Sequence, residues 1–159
     1  MITSAAIAWN FDRNAVYMRT HLEALTHTDS LVQPPIEGNC INWILGHVVC
    51  YRNYILAVLG LPPILPAETL ARYARGSAPV LVDGPDVVEL DDLVRAYWKA
   101  QDAILQALPD LSPDRAAEVA QAAGFEMPRA ELLVSFMRHE SYHAGQLEWL
   151  RVWAIQQRP

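Results

Sequence analysis

Histidines 139 and 143 stand four positions apart in the run His139-Glu140-Ser141-Tyr142-His143. On a helix that spacing projects both imidazoles from one face, where they can grip a single divalent ion. Phe136 and Leu147 continue the same face on either side, so the pair points toward an apolar interior. Imidazoles are costly to bury unless each ring nitrogen finds a partner, and a metal ion is one such partner. Two unrelated core or surface histidines are the plainer alternative. The run also matches H-E-x-x-H, the zinc-protease pattern. Context speaks against a protease: sixteen residues follow His143, they hold no extended His-x-x-Gly-x-x-His form, and no strands are evident for the accompanying sheet.

A third ligand must then come from upstream, and His47 is the best candidate. It sits midway along the most apolar segment, in Trp43-Ile44-Leu45-Gly46-His47, and Gly46 would let a neighbouring helix or a ligand approach closely. Taken alone, His47 reads first as a core histidine bonded to a side chain. His21 and His27 belong to the first helix and read as structural or exposed. Cys40 and Cys50 are ten positions apart on one helix, roughly 15 Å at the helical rise and beyond disulfide reach. Both read as buried free thiols, with a Cys50 contribution to the metal site as the alternative.

Four long segments with helical periodicity must position these residues, and no strand-like alternation competes with them. The first spans about Ser4 to Thr26, with Thr3 or Ser4 as N-cap and Ile7, Phe11, Ala15, Met18, Leu22 and Leu25 on one stripe. The second, about Cys40 to Gly60, is apolar nearly all round and should be covered on several sides; Asn39 can cap it, and Gly60 with Pro62 and Pro63 ends it. A connection from Leu61 to Glu89, with a short helical turn around Glu68–Ala74, leads to the third, about Leu90 to Leu108. Ser112-Pro113-Asp114 predicts a short turn to about Ala123. The last helix spans about Pro128 to Ala154. The expectation is an all-α bundle forming a single domain over residues 1–159, with a long connection between the second and third helices.

Composition narrows the function classes. Hydrophobic residues make up 52% of the 159 positions and charged residues 19%, which excludes intrinsic disorder. The net charge is −6 and Lys99 is the only lysine, so the cationic footprint of a nucleic-acid binder is missing. The apolar stretch Cys40–Tyr51 is too short to span a membrane, and the first residues show no basic n-region before Asp12 and Arg13. A cytoplasmic protein that binds neither nucleic acid nor membranes is the expectation.

Asn39-x-x-x-Trp43-x-x-Gly46-His47 on the second helix and His139-Glu140-x-x-His143-x-Gly145-Gln146-Leu147 on the last resemble the DinB/YfiT-like superfamily of metal-dependent enzymes. The loop Tyr73-Ala74-Arg75-Gly76-Ser77 is similar to a loop of that superfamily, and the likeness runs over essentially the whole chain. It implies a four-helix bundle, usually a homodimer, in which His47, His139 and His143 hold one divalent transition metal, zinc or nickel foremost and iron as a further candidate. It also implies a relationship to enzymes that use low-molecular-weight thiols, S-transferases and maleylpyruvate isomerases among them.

Three neutral imidazoles leave such an ion its full charge and an open position, so that a thiol or water there becomes a nucleophile near neutral pH. The expected function is therefore transfer of a thiol, or of water, to a small electrophilic substrate, that is, an S-transferase-like or hydrolase activity. The alternative is a non-catalytic helical dimer that binds a metal or small molecule. Tyr51, one turn beyond His47, is a candidate proton donor or else core. Glu140 is a candidate general base or ligand orienter, or else a solvated or salt-bridged surface carboxylate. Asn39 and Gln146 could orient a ligand, and the middle loop with Arg72, Tyr73, Arg75 and Ser77 is where specificity is expected.

Overall fold

The structure, a computed structural model, describes residues 2–159. Helix α1 (Ser4–Leu22) starts where the Thr3 hydroxyl accepts the Ala6 N–H at 3.2 Å. It ends four residues before the predicted Thr26. Ala24 adopts a left-handed conformation with φ 59°, and Thr26 then restarts the chain. The Thr26 hydroxyl accepts the Asp29 N–H, and the Asp29 carboxylate accepts the Thr26 N–H at 2.7 Å. This reciprocal capping box opens the short helix α2 (His27–Ser30). Periodicity alone missed the break because Leu25 stays buried on the same stripe.

Helix α3 (Ile41–Leu59) ends at Gly60, whose φ of 82° is the left-handed cap conformation. Asn39 does not cap it. Cys40 occupies the cap position without a side-chain cap bond, and its thiol donates to the Val80 carbonyl at 3.4 Å, which sets the entry of the chain one residue later. The middle connection holds α4 (Ala67–Leu70) and a 3-10 turn over Ala71–Tyr73, as the sequence suggests. Helix α5 (Leu90–Ala107) follows, with Asp91 and Asp92 in its first turn.

Helix α6 (Pro113–Ala117) is capped by Ser112 but stops well before Ala123. In place of more helix the chain forms a hairpin, and here the expectation of no strands is corrected. Strands β1 (Val119–Ala122) and β2 (Phe125–Pro128) pair antiparallel, with Val119 opposite Pro128 and Ala122 opposite Phe125. Both turn residues, Ala123 at φ 53° and Gly124 at φ 81°, have the positive φ that a two-residue hairpin requires. Ala120, Ala122 and Ala123 carry helix propensity, so nothing in local composition announced a strand. Helix α7 (Arg129–Gln156) leaves the hairpin directly.

The four long helices form a bundle in which α1 packs on α5 and α7, and α3 packs on the same two. The connection after α3 and strand β1 also lean on α3. That coverage explains why this helix is apolar nearly all round. The buried side chains divide into two clusters, one around Met18, Leu45, Leu93 and Leu147 and one around Phe11, Ile55, Ile104 and Leu133. On each long helix the boundary between them falls beside a buried polar residue: Asn14, Arg52, Gln101 and Glu140. The bundle thus has a polar waist. No helix among the described residues is long and apolar enough to cross a membrane.

Candidate metal centre

Beside that waist, α3 presents His47 and α7 presents His139 and His143 from successive turns. The His139 Nε2 lies 3.0 Å from the His143 Nε2 and 3.3 Å from the His47 Nε2. The outer nitrogens of two rings fix the protonation of the inner ones. The His47 Nδ1–H donates to the Tyr73 carbonyl at 2.7 Å, and the His143 Nδ1–H donates to the Gln146 Oε1, also at 2.7 Å. Each Nε2 is therefore left with a lone pair directed at its neighbours. The His139 Nδ1 is buried and has no partner among the described residues.

This donor set fits a metal. Nitrogens held 2.0–2.1 Å from one ion at ordinary angles would lie roughly 2.9–3.4 Å apart, the range of the two Nε2 separations here. Burial also keeps the rings in the neutral, ligating form. It depresses His139 to about 3, with help from His143, His47 and Arg75. It depresses His143 to about 4 against the opposing hydrogen bond from Gln146. His47 is lowered by burial too, partly offset by its bond to Tyr73.

Aromatic rings hold the histidines in place. Trp43 stacks on His47 with centroids 4.8 Å apart, and Tyr51 stacks on His139 at 3.8 Å. Residues 43, 47 and 51 form one row along α3 because they are successive turns apart. Gly46 serves the loop rather than a neighbouring helix. A Cβ there would sit 2.3–2.6 Å from ring carbons of Tyr73. Tyr73 is wholly buried, its hydroxyl donating to the Asn42 Oδ1 at 3.0 Å and accepting the Val88 N–H at 2.8 Å. A cavity of about 220 Å³ opens onto the histidines, lined by His47, Tyr51, Arg75, Phe125, Ser135, Phe136 and His139.

Several candidates fall elsewhere. Glu140 is neither a surface carboxylate nor directed at this cavity. Its two oxygens accept from Arg52 Nε and Nη2 at 2.8 and 2.9 Å, and Tyr97 donates to one of them at 3.3 Å. A buried carboxylate so engaged cannot serve as general base, so its role is to hold α7 to α3. Asn39 and Gln146 line a separate cavity with Tyr142 and Trp149, although Gln146 still orients His143. Cys50 faces a small cavity beside Tyr54, not the histidines. His21 stays in α1, half-buried, and the His27 Nδ1 accepts the Leu90 N–H at 3.1 Å, tying α2 to the start of α5. Sequence reasoning missed Phe125, Ser135 and Arg52. An arginine inside an otherwise apolar helix was the one available signal, since a charge there needs a buried partner.

The profile of the DinB family matches residues 1–151, and the chain belongs to that family. A crystal structure of a conserved protein from Enterococcus faecalis is similar to it with a TM-score of 0.64, at 14% identity and with 99% of each chain covered. That likeness is one of fold. Among curated protein sequences none matches this chain.

Proposed function

We propose that the chain is a metal-dependent enzyme that joins a thiol or water to a small electrophilic substrate, as an S-transferase-like or hydrolase activity. The observation that carries this reading is the convergence of three Nε2 atoms, two of them with their tautomers set, at a cavity of small-molecule size. His47, His139 and His143 would hold one divalent transition metal, which when bound supplies the Lewis acidity that lowers the pKa of a coordinated thiol or water. The chain's own residues orient and enclose. Tyr73 and Gln146 fix the His47 and His143 rings, Trp43 stacks on His47 and Tyr51 on His139, and Phe125 and Phe136 give the cavity apolar walls. The Tyr51 hydroxyl has no bond to another described residue and is the group available to move a proton to a departing or developing anion. One observation favours a second reading, a non-catalytic metal or small-molecule binder: with Glu140 committed to Arg52, no carboxylate lines the cavity.

Elemental analysis of untagged protein tests the first step. One equivalent of a transition metal is expected in the parent, and loss of most of it in His47→Ala and in His143→Ala. A parent that takes up no zinc, nickel or iron would end the metalloenzyme reading. Thiol-dependent conversion of an epoxide or haloarene panel then separates enzyme from binder.

A further inference from the structure

The loop after the Ala71–Tyr73 turn brings one charged side chain to the three-histidine cavity that the reading above leaves without a task. Arg75 lines that cavity, is exposed, and makes no ion pair or side-chain hydrogen bond among the described residues. Its neighbour Arg72 differs in this respect, since it pairs with Asp86 at 3.0 Å and donates to the Pro79 carbonyl at 2.9 Å.

The backbone under Arg75 is set in advance. The Ser77 N–H donates to the Ala74 carbonyl at 3.0 Å across a turn in which Gly76 has φ 82°. The Ser77 hydroxyl donates to the Arg72 carbonyl at 2.8 Å and accepts the Trp43 Nε1–H at 3.1 Å. Trp43 in turn stacks on His47, so the turn and the histidine site are braced together. The guanidinium head is the free part of a fixed arm.

The other lining residues are Tyr51, Phe125, Phe136, Ser135 and two histidines, with no carboxylate among them. An unpaired guanidinium in an aromatic-walled cavity is a receptor for an anion. A carboxylate is matched by one guanidinium fork through two parallel hydrogen bonds. At about 220 Å³ the cavity falls below the range typical of drug-sized ligands, so the ligand is small.

We propose that Arg75 recognises a carboxylate on the substrate, and that the substrate is a small monocarboxylate whose apolar body lies against Phe125 and Phe136 with its reactive centre toward the histidines. This assignment rests on the metal-dependent reading above and adds the substrate class to it.

The test uses zinc-loaded protein, its zinc content measured first, and two probes, 3-mercaptopropionate and the neutral 3-mercapto-1-propanol. Calorimetric titration of the parent should show the acid binding about tenfold more tightly, the worth of one charge-assisted pair. Arg75→Gln should reduce that preference to about twofold or less while leaving the alcohol's affinity unchanged, and Arg75→Lys should retain part of it. Equal affinities in the parent would overturn the proposal. So would a preference that survives Arg75→Gln, because the carboxylate would then be bound by the zinc, and so would failure of both probes to bind zinc-loaded protein. A parent that retains no zinc would instead overturn the metal-dependent reading, and the substrate class with it.

Discussion

Gly46 and Tyr73 show how much of the site is decided by a single missing methyl group. Adding a Cβ at residue 46 places it within 2.3–2.6 Å of a ring that is wholly buried and bonded at its hydroxyl, so the ring cannot swing aside without giving up Asn42 and Val88. Overpacking of this kind costs about 1–3 kcal/mol, against about 1 kcal/mol gained from the better helix propensity of alanine. Gly46→Ala should therefore lower the urea midpoint and, by displacing the Tyr73 carbonyl from His47, weaken zinc binding; a more stable variant with undiminished zinc affinity would contradict both. At this scale the sequence was most informative where residue type and spacing coincide. His139, His143 and the row 43–47–51 were legible because helical spacing determines which side chains share a face. Tyr73 as the partner of His47 was not, because a backbone carbonyl in a distant loop leaves no mark on residue type. Glu140 was legible as a helix residue and misread as chemistry, since only the fold shows Arg52 beside it.

The contact between α3 and α7 depends on that pair. Arg52 and Glu140 have side-chain exposures of 0% and 3%, and the guanidinium lies 3.7 Å from the Tyr97 ring centroid. Removing one partner strands a buried charge, at about 3–5 kcal/mol, whereas replacing both by apolar residues of similar volume is often neutral. Glu140→Leu alone should destabilise strongly, and the double variant Arg52→Met/Glu140→Leu should recover most of the loss. Because Glu140 adjoins His139, the double variant is also expected to bind zinc more weakly than its recovered stability would suggest, a split that urea titration and zinc competition together would reveal. A double variant with parental zinc affinity would show that the pair does not set the register of the histidines. The long helices themselves were legible from periodicity. The hairpin was not: its alanines favour helix, and its turn is Ala-Gly rather than the Asn-Gly that announces such a connection.

For the whole molecule, acidity and self-association are the accessible variables. His139 and His143 titrate near 3 and 4 in the folded, metal-free chain, against 6.5 in an unfolded one. The unfolded state therefore binds more protons between these values, and stability is complete above about pH 6.5 and declines as pH falls toward 4 and then 3. Urea midpoints of metal-free protein should fall across that window. In His139→Ala the decline should be shallower; an unchanged slope would assign the protons elsewhere. Asp29, held well below the usual carboxylate range by its hydrogen bond to Arg158, adds a further loss below about 3.8, its ordinary value. The family resemblance also leads us to expect a homodimer, and light scattering on the eluted protein should return twice 17.8 kDa. A monomer at micromolar concentration would count against that expectation. The bundle and its long connection were foreseeable because helices and proline-rich breaks alternate along the chain. The polar waist was not, since its members come from four helices and are adjacent only after folding.

The anchoring of the middle connection has a consequence for protein engineering. Between Pro62 and Glu89 the completely buried positions are Tyr73 and Val80, with Leu70 nearly so. The segment is therefore a cassette pinned at these points and by the half-buried Ile64, Leu65, Val87 and Val88, which pack against the core. A library that keeps Gly46, Asn42, Tyr73, Gly76, Ser77 and Val80 and varies residues 74, 75 and 78 would reshape the cavity entrance while leaving the histidines in place, which makes this loop the natural site for redirecting the protein toward new ligands.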